Sequence, residues 1–428
     1  MPDPNPINAT TVSLPYGERS LAVQVPAGHL LDVILPKTGA IEVRDEAEMI
    51  RAALERPIGS PRLRDLVHRG QRIAIVTSDL TRPCPSERLL PFVLEELSAA
   101  GIPDEDIFVV LGLGLHRPMT EEEIDRVVSP EVHRRIRVLN HNAEDVVRLG
   151  VTSRGTPVEF FRPLVEADVR VCLGNLEFHW FAGFSGGAKA VLPGCASRAT
   201  VTANHALMVR PGVGAGRIQG NPLREDIEEG AAMLGVHFIL NVVVDGQHNI
   251  LSAVAGDVTA AHRRGCEAIA ARGKVKVPRK ADIVIASAGG FPKDINMYQA
   301  HKGLENAAYF VRDGGILILA AECREALGNK TFEQWMFAAS SPQEILERIQ
   351  KEFVLGGHKA AGIANIERRA KVFLVSDMPD DLVRRLFMTP FADVQEALQA
   401  ALQELGSESQ VLVLPQAGSI IPDFESSA

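Results

Sequence analysis

Short, continuous runs of Val, Ile and Leu recur at wide spacing along this chain, and they restrict the fold more than any other feature. They are Arg72–Thr77 (RIAIVT), Ile107–Leu111 (IFVVL), Ile136–Leu139 (IRVL), Val169–Leu173 (VRVCL), Val236–Val244 (VHFILNVVV), Ile283–Ala286 (IVIA), Ile316–Ala320 (ILILA), Val372–Val375 (VFLV) and Val411–Leu414 (VLVL). A strand with one wet face alternates apolar and polar residues. An unbroken run suits a strand covered on both faces, as in a parallel sheet. Between the runs lie amphipathic stretches. Ser86–Ala100 carries Leu89, Leu90, Phe92, Val93 and Leu97 at helical spacing, and Pro342–Phe353 and Ala392–Leu405 read similarly. Thr120 and Glu123 have the spacing of a capping box at the head of a further helix, Thr120–Val128. Alternating strands and helices predict an α/β protein with mostly parallel sheets.

A chain of 428 residues is long enough for two to three domains. The stretch Val258–Lys280 reads as a helix followed by a basic, Pro-containing segment, and the domain boundary is placed there. The expectation is an N-terminal α/β domain over residues 1–270 and a C-terminal Rossmann-like α/β domain over residues 271–428, with the active site in the inter-domain cleft. The chain beyond Val411 is left open to pair with either domain. The first 25 or so residues read as a β-hairpin turning at Tyr16-Gly17-Glu18.

Forty-five Lys and Arg against 54 Asp and Glu give a net charge of −9. That balance argues against nucleic acid or an anionic membrane as partner. No apolar run approaches the ~20 residues of a membrane span. The N-terminus lacks the basic and apolar regions of a signal peptide. Five cysteines, Cys84, Cys172, Cys195, Cys266 and Cys323, with no C-x-x-C, do not form a disulfide framework. The expectation is a cytoplasmic protein.

In an open α/β sheet, ligands bind beyond the C-terminal ends of the strands. Four such ends are rich in chemistry: Ser78-Asp79-Leu80-Thr81-Arg82-Pro83, Gly112-Leu113-Gly114-Leu115-His116-Arg117-Pro118, Gly174-Asn175-Leu176-Glu177-Phe178-His179-Trp180, and Ser287-Ala288-Gly289-Gly290-Phe291-Pro292-Lys293-Asp294. His116 and His179 are candidates for acid–base work, since imidazole titrates nearest neutrality. Each is equally readable as a structural histidine. Arg82 suits a carboxylate or phosphate clamp, or a surface ion pair with Asp79 or Glu87. In Phe181–Pro193 (FAGFSGGAKAVLP), Gly183, Gly186 and Gly187 permit close backbone approach, and Lys189 follows. This is not a Walker motif. A lysine in so apolar a run has a lowered pKa and becomes a nucleophile, although the glycines are also explained by tight packing. His205 is a candidate metal ligand without an H-E-x-x-H partner. The remaining histidines read as structural, least securely His141 and His358. Gly212-Val213-Gly214-Ala215-Gly216 fails the dinucleotide fingerprint, because Arg217 stands where that motif needs glycine.

Taken together, SDLTRP (Ser78–Pro83), GLGLHRPMT (Gly112–Thr120), GNLEFHWFAGFSGGAKAVLPGCAS (Gly174–Ser197), Asn204-His205 and GGFPKDINMYQAHK (Gly289–Lys302) resemble the nickel-dependent lactate racemase family, in order and over nearly the whole chain. The resemblance implies interconversion of the enantiomers of a 2-hydroxy acid. It implies a nickel-pincer nucleotide (pyridinium-3-thioamide-5-thiocarboxylic acid mononucleotide) tethered covalently at Lys189, with His205 ligating nickel. It makes His116 and His179 the catalytic pair. Asp79, Arg82, Ser185, Gly186, Gly187, Tyr298 and Gln299 would contact the cofactor, and Arg82, Gln299 and Lys302 the substrate. The implied partners are the substrate and the enzymes that synthesise the cofactor. Trp335 and His358 stay without a role.

That chemistry is coherent. The C2–H of a 2-hydroxy carboxylate is a very poor acid, so hydride removal coupled to loss of the hydroxyl proton is the easier route. Two imidazoles on opposite sides of one substrate serve a racemase, which must act on both enantiomers. The alternatives are an NAD-linked 2-hydroxy acid oxidoreductase, a zinc hydrolase, or a non-catalytic binding protein of the same fold. The first lacks the G-x-G-x-x-G fingerprint.

Overall fold

The computed structural model describes residues 9–36, 45–245 and 248–424. The chain forms two compact units. One is Gly39–Ala271, and the other joins Met1–Thr38 to Arg272–Ala428.

The Gly39–Ala271 unit is built on a six-stranded sheet. Its strands stand in the order Ile250–Gly256, Phe238–Val244, Val169–Asn175, Ile73–Ser78, Ile107–Gly112 and Arg137–Asn140. All neighbours are parallel except the first pair, where Ile250–Gly256 runs antiparallel along the edge. Ile73, Ile75, Val109, Val171 and Leu240 are fully buried, as strands covered on both faces require. The chain winds from Ile73–Ser78 outward through Ile107–Gly112 to Arg137–Asn140. It then crosses to Val169–Asn175 on the other flank of the starting strand. The order therefore reverses at Ile73–Ser78. Such a switch point parts the loops leaving adjacent strands and opens a crevice at their C-terminal ends. A hairpin, Val146–Val151 with Pro157–Phe161, stands outside this sheet.

The second unit has a six-stranded, all-parallel sheet. Its order is Thr389–Phe391, Lys371–Val375, Val311–Ala320, Ala281–Ser287, Val411–Leu414 and Leu30–Val33. The N-terminal hairpin pairs Ala9–Tyr16 with Arg19–Pro26 around Gly17-Glu18, as expected. Its Val12, Leu14, Tyr16, Val23 and Val25 join Ile283, Ile285, Ile318 and Val413 in one core.

This corrects the expected domain of residues 1–270. The strands of the first 36 residues belong to the C-terminal unit, because Leu30–Val33 is that sheet's edge strand and the hairpin fills its core. The terminal strand Ile421–Phe424 pairs with Lys274–Val277 inside the same unit, not with the Gly39–Ala271 unit. The capping box forms as read: Glu123 N–H reaches the Thr120 hydroxyl and the Glu123 carboxylate accepts from Thr120 N–H. All five cysteines are free. Among the described residues no helix is long and apolar enough to cross a membrane.

Candidate active site

Three adjacent parallel strands deliver the candidate residues to the switch point. Asp79 follows Ile73–Ser78, His116 follows Ile107–Gly112, and His179 follows Val169–Asn175. Asp79 and His116 meet directly: His116 Nδ1 lies 2.5 Å from Asp79 Oδ2. The other Asp79 oxygen accepts from the Thr81 amide at 3.0 Å and the Thr81 hydroxyl at 2.6 Å. Burial favours the protonated acid, but the hydrogen bonds from His116 and Thr81 outweigh it and hold the carboxyl below its ordinary range. An ionised Asp79 fixes the His116 ring with Nδ1–H toward the carboxylate, leaving a lone pair on Nε2. Asp79 is thereby committed to His116, and Glu87 meets Arg88. Neither takes Arg82, which is exposed, so the surface-pair reading of Arg82 is not what the structure adopts.

His179 occupies a two-residue bridge, Phe178–His179 paired with Gly183–Phe184. The tight turn between them sends the Ala182 amide to His179 Nδ1 at 3.3 Å. The Phe181 ring stands edge-on to both His179, at 4.3 Å between centroids, and His205, at 5.0 Å. One aromatic ring thus spaces two candidate histidines. His205 sits near the end of helix Arg198–Ala206, whose N-cap is Ser197. It is 6 % exposed. Desolvation, reinforced by the Lys189 charge, depresses its pKa to about 3, so the imidazole is neutral and able to donate to a metal.

Lys189 lies in the single turn Gly187–Ala190 and is half-buried. Desolvation, with the charge of Arg82 second and that of Arg224 weaker, lowers its pKa to about 7 despite Glu177. A large fraction of the amine is therefore unprotonated near neutrality, which is the nucleophilic form. Ser185 and Gly187 hold the loop rather than project from it. The Ser185 hydroxyl donates to Asn175 O at 2.8 Å and accepts from Glu177 N–H at 2.8 Å, and Gly187 N–H donates to Asn241 Oδ1 at 2.8 Å. Gly186 has φ +72°, and a Cβ there would come within 2.7 Å of Asn241 Oδ1 and Leu176 Cδ2.

In the second unit, helix Met297–Ala307 carries Tyr298, Gln299 and Lys302, capped by Asn296, whose side chain accepts from Gln299 N–H. Gln299 and Lys302 are exposed, and Tyr298 is half-buried with Lys359 Nζ 5.3 Å from its ring centroid. Trp335 is buried beneath Gly357 and stacked by Arg348, a core position. The loop after Ala281–Ser287 reaches Met297 before any helix begins. A dinucleotide turn would enter its helix at once, so the oxidoreductase reading gains no support there.

Two residues here were not singled out from the sequence, and a third, His141, was read as structural. Ser78 Oγ and Asn175 Nδ2 are buried polar atoms with no hydrogen-bond partner in the protein, at the ends of two adjacent strands. Buried orphans of this kind are rare and point to a ligand. Their strand-end positions were the available signal, but uncharged side chains drew no weight. His141 ends Arg137–Asn140 and packs edge-on to Phe161 at 5.7 Å. Burial lowers its pKa to about 4, with the Gly114 backbone opposing.

The sequence models of known families bear directly on this arrangement. The lactate racemase N-terminal domain matches residues 16–216, and the lactate racemase C-terminal domain matches residues 276–422. A lactate racemase of Thermoanaerobacterium thermosaccharolyticum is 34 % identical over 421 residues, 96 % of this chain and 98 % of the relative. One of Lactiplantibacillus plantarum is 31 % identical over 421 residues, 96 % and 99 %. The lactate racemase apoprotein structure from T. thermosaccharolyticum aligns with a TM-score of 0.85 at 34 % identity, over 97 % of this chain and 100 % of that one. A Thermotoga maritima protein shares the fold, with a TM-score of 0.59 at 18 % identity over 92 % and 100 %. The chain is thus an α/β isomerase of the racemase type, assembled from two units. It belongs to the lactate racemase family, whose members depend on a nickel-pincer cofactor.

Proposed function

We propose that this protein racemises a small 2-hydroxy acid such as lactate at C2, with a nickel-pincer nucleotide held covalently on Lys189 and its nickel ligated by His205. One observation carries the residue assignment: two histidines at neighbouring strand ends have opposite hydrogen bonding at Nδ1. His116 donates from Nδ1 to ionised Asp79, so its Nε2 is a base. His179 accepts at Nδ1 from the Ala182 N–H, so in the neutral ring Nε2 carries the proton and donates a hydrogen bond to a substrate oxygen. In each direction one imidazole takes the hydroxyl proton of the starting enantiomer and the other protonates the oxygen of the product, and the two exchange roles when the reaction reverses.

The residues present fit the cofactor. Among the described residues no three His, Cys, Asp or Glu side chains converge on a metal position. His205 therefore suits a metal whose other donors arrive with an organic ligand, and sulfur with imidazole suits nickel. The Lys189 amine, with its pKa lowered to about 7, would condense with a thioacid carbon, forming the C–N bond as water leaves. Ser78 Oγ and Asn175 Nδ2 offer buried polar partners. When bound, the cofactor supplies reversible acceptance of hydride from C2. His116 takes the hydroxyl proton of one enantiomer, and Asp79 stabilises the resulting imidazolium. His179 performs the corresponding transfer for the other enantiomer once its ring proton has moved from Nε2 to Nδ1, giving up the Ala182 hydrogen bond. Arg82, unpaired with Asp79 or Glu87, binds the substrate carboxylate. The protein acts in the cytoplasm, supplied by the cofactor-synthesis enzymes.

The test is lactate racemisation, followed from each enantiomer, by protein co-produced with those enzymes. His116→Ala and His179→Ala are each expected to lose about 10²–10⁴-fold or more in kcat, the usual range for a general acid or base. A single variant that keeps normal rates in both directions overturns the pairing.

A further inference from the structure

Behind the Gly-rich loop lies a buried charged network whose side chains take no part in the proposed proton transfers. Arg224, on helix Pro222–Leu234, is 1 % exposed, and His262, on helix Ala260–Gly273, is fully buried. Arg224 Nη1 donates to Phe184 O at 3.2 Å. His262 Nε2 donates to Ser185 O at 2.9 Å. With its proton on Nε2, His262 accepts at Nδ1 from Arg263 Nη1 at 3.1 Å, and Arg224 Nη2 lies against the ring, 3.1 Å from both of its nitrogens. Glu228 closes the network, accepting from Arg224 Nε at 2.7 Å and from both Arg263 terminal nitrogens, at 2.8 and 2.6 Å. The loop fits the network closely. Gly187 has φ +58°, and a Cβ there would stand 2.7 Å from His262 Cδ2 and 3.2 Å from Arg224 Nη2.

A buried guanidinium is costly unless its donors are satisfied. Here two of its partners are a loop carbonyl and the imidazole that holds the next loop carbonyl. Lys189 is four residues beyond Ser185, in a single turn too short to fix its own orientation. We propose that Arg224 and His262 form a positioning clamp on the carbonyls of Phe184 and Ser185, which holds the Lys189 turn in the geometry needed for covalent cofactor attachment. Neither residue touches the reacting atoms. The clamp acts before the first turnover, by sparing the loop an ordering cost when the Lys189 amine bonds the thioacid carbon and water leaves. This inference rests on the Lys189 tether proposed above.

Four proteins test it: wild type, His262→Gln, His262→Leu and Arg224→Met, each co-produced with the cofactor-synthesis enzymes. Gln places an amide donor where Nε2 stands, and Leu removes it. The readouts are the fraction of the Lys189 peptide carrying cofactor mass, and amide hydrogen exchange over residues 181–190 in cofactor-free protein. His262→Leu and Arg224→Met are expected to lower the modified fraction, and to speed exchange in that segment, by about tenfold, the worth of one or two lost hydrogen bonds. Strand Val169–Asn175 should stay protected. His262→Gln should remain within about twofold of wild type on both readouts. Wild-type attachment and exchange in His262→Leu, or equal loss in Gln and Leu, overturns the clamp. If Arg224→Met does not fold, the Gln and Leu pair decides alone. If wild type takes up no mass at Lys189, the tether fails, and the exchange data still decide whether the loop is clamped.

Discussion

The most informative single residue is Lys189. Its pKa of about 7, against an ordinary 10.5, means that folding strips a proton the unfolded chain retains between those values. Stability of the cofactor-free protein therefore carries a full penalty below pH 7, relieved as pH rises from about 7 to 10.5. Lys189→Met has no such penalty. It is expected to melt above wild type at pH 6, with the difference shrinking toward pH 10, and thermal unfolding at several pH values checks this. The same variant should carry no cofactor mass. In the proposed mechanism Asp79 acts differently, because its carboxylate orients and supports His116. Asp79→Asn removes the charge that stabilises the imidazolium, and kcat should fall by about 10²-fold or more with a much smaller change in KM. Steady-state kinetics from either enantiomer separates the two.

Elements formed from local signals where those signals were strong. The capping box at Thr120 needed no tertiary help, and Thr120→Ala should cost about 1 kcal/mol, read by urea denaturation. Every continuous apolar run became a strand of one of the two main sheets. Ile250–Gly256, Leu30–Val33 and Thr389–Phe391 were not foreseen, and all three are sheet edges. Their burial is partial, and an edge strand needs no unbroken apolar run. The Val146–Val151 hairpin escaped notice for the same reason. Candidate positions followed a similar rule. Asp79, His116 and His179 stand out in the sequence because a strand end is recognisable and a titratable residue there is conspicuous. Ser78 and Asn175 stand at the same ends, but only burial without a partner distinguishes them.

At the scale of the whole chain, the two units differ in how they are assembled. The Gly39–Ala271 unit is continuous, whereas its neighbour is made of two segments far apart in sequence. Removing the first 38 residues takes away an edge strand and the buried Val12, Leu14, Tyr16, Val23 and Val25. At roughly 1.5–3 kcal/mol for each apolar side chain, that loss rivals the whole stability of a typical domain, about 5–15 kcal/mol. Residues 39–271 expressed alone should unfold cooperatively, and residues 272–428 alone should not. Circular dichroism melts of the two fragments decide it. The continuous unit also carries Asp79, His116, His179, Lys189 and His205, so the proposed cofactor tether and nickel ligand lie on a segment expected to fold without its neighbour.

By itself the sequence determined the α/β class and the strand runs, and it marked the candidate loops, because each depends on periodicity or on residues adjacent in the chain. Tertiary structure decided what depends on distance. It gave the N-terminal hairpin to the far unit, since apolar strands are accepted by whichever core they fill. It paired His116 with Asp79 across 37 residues. It made His205 and Lys189 neutral-leaning donors through burial and neighbouring charges, and burial is a property of the packed fold rather than of any local run of residues.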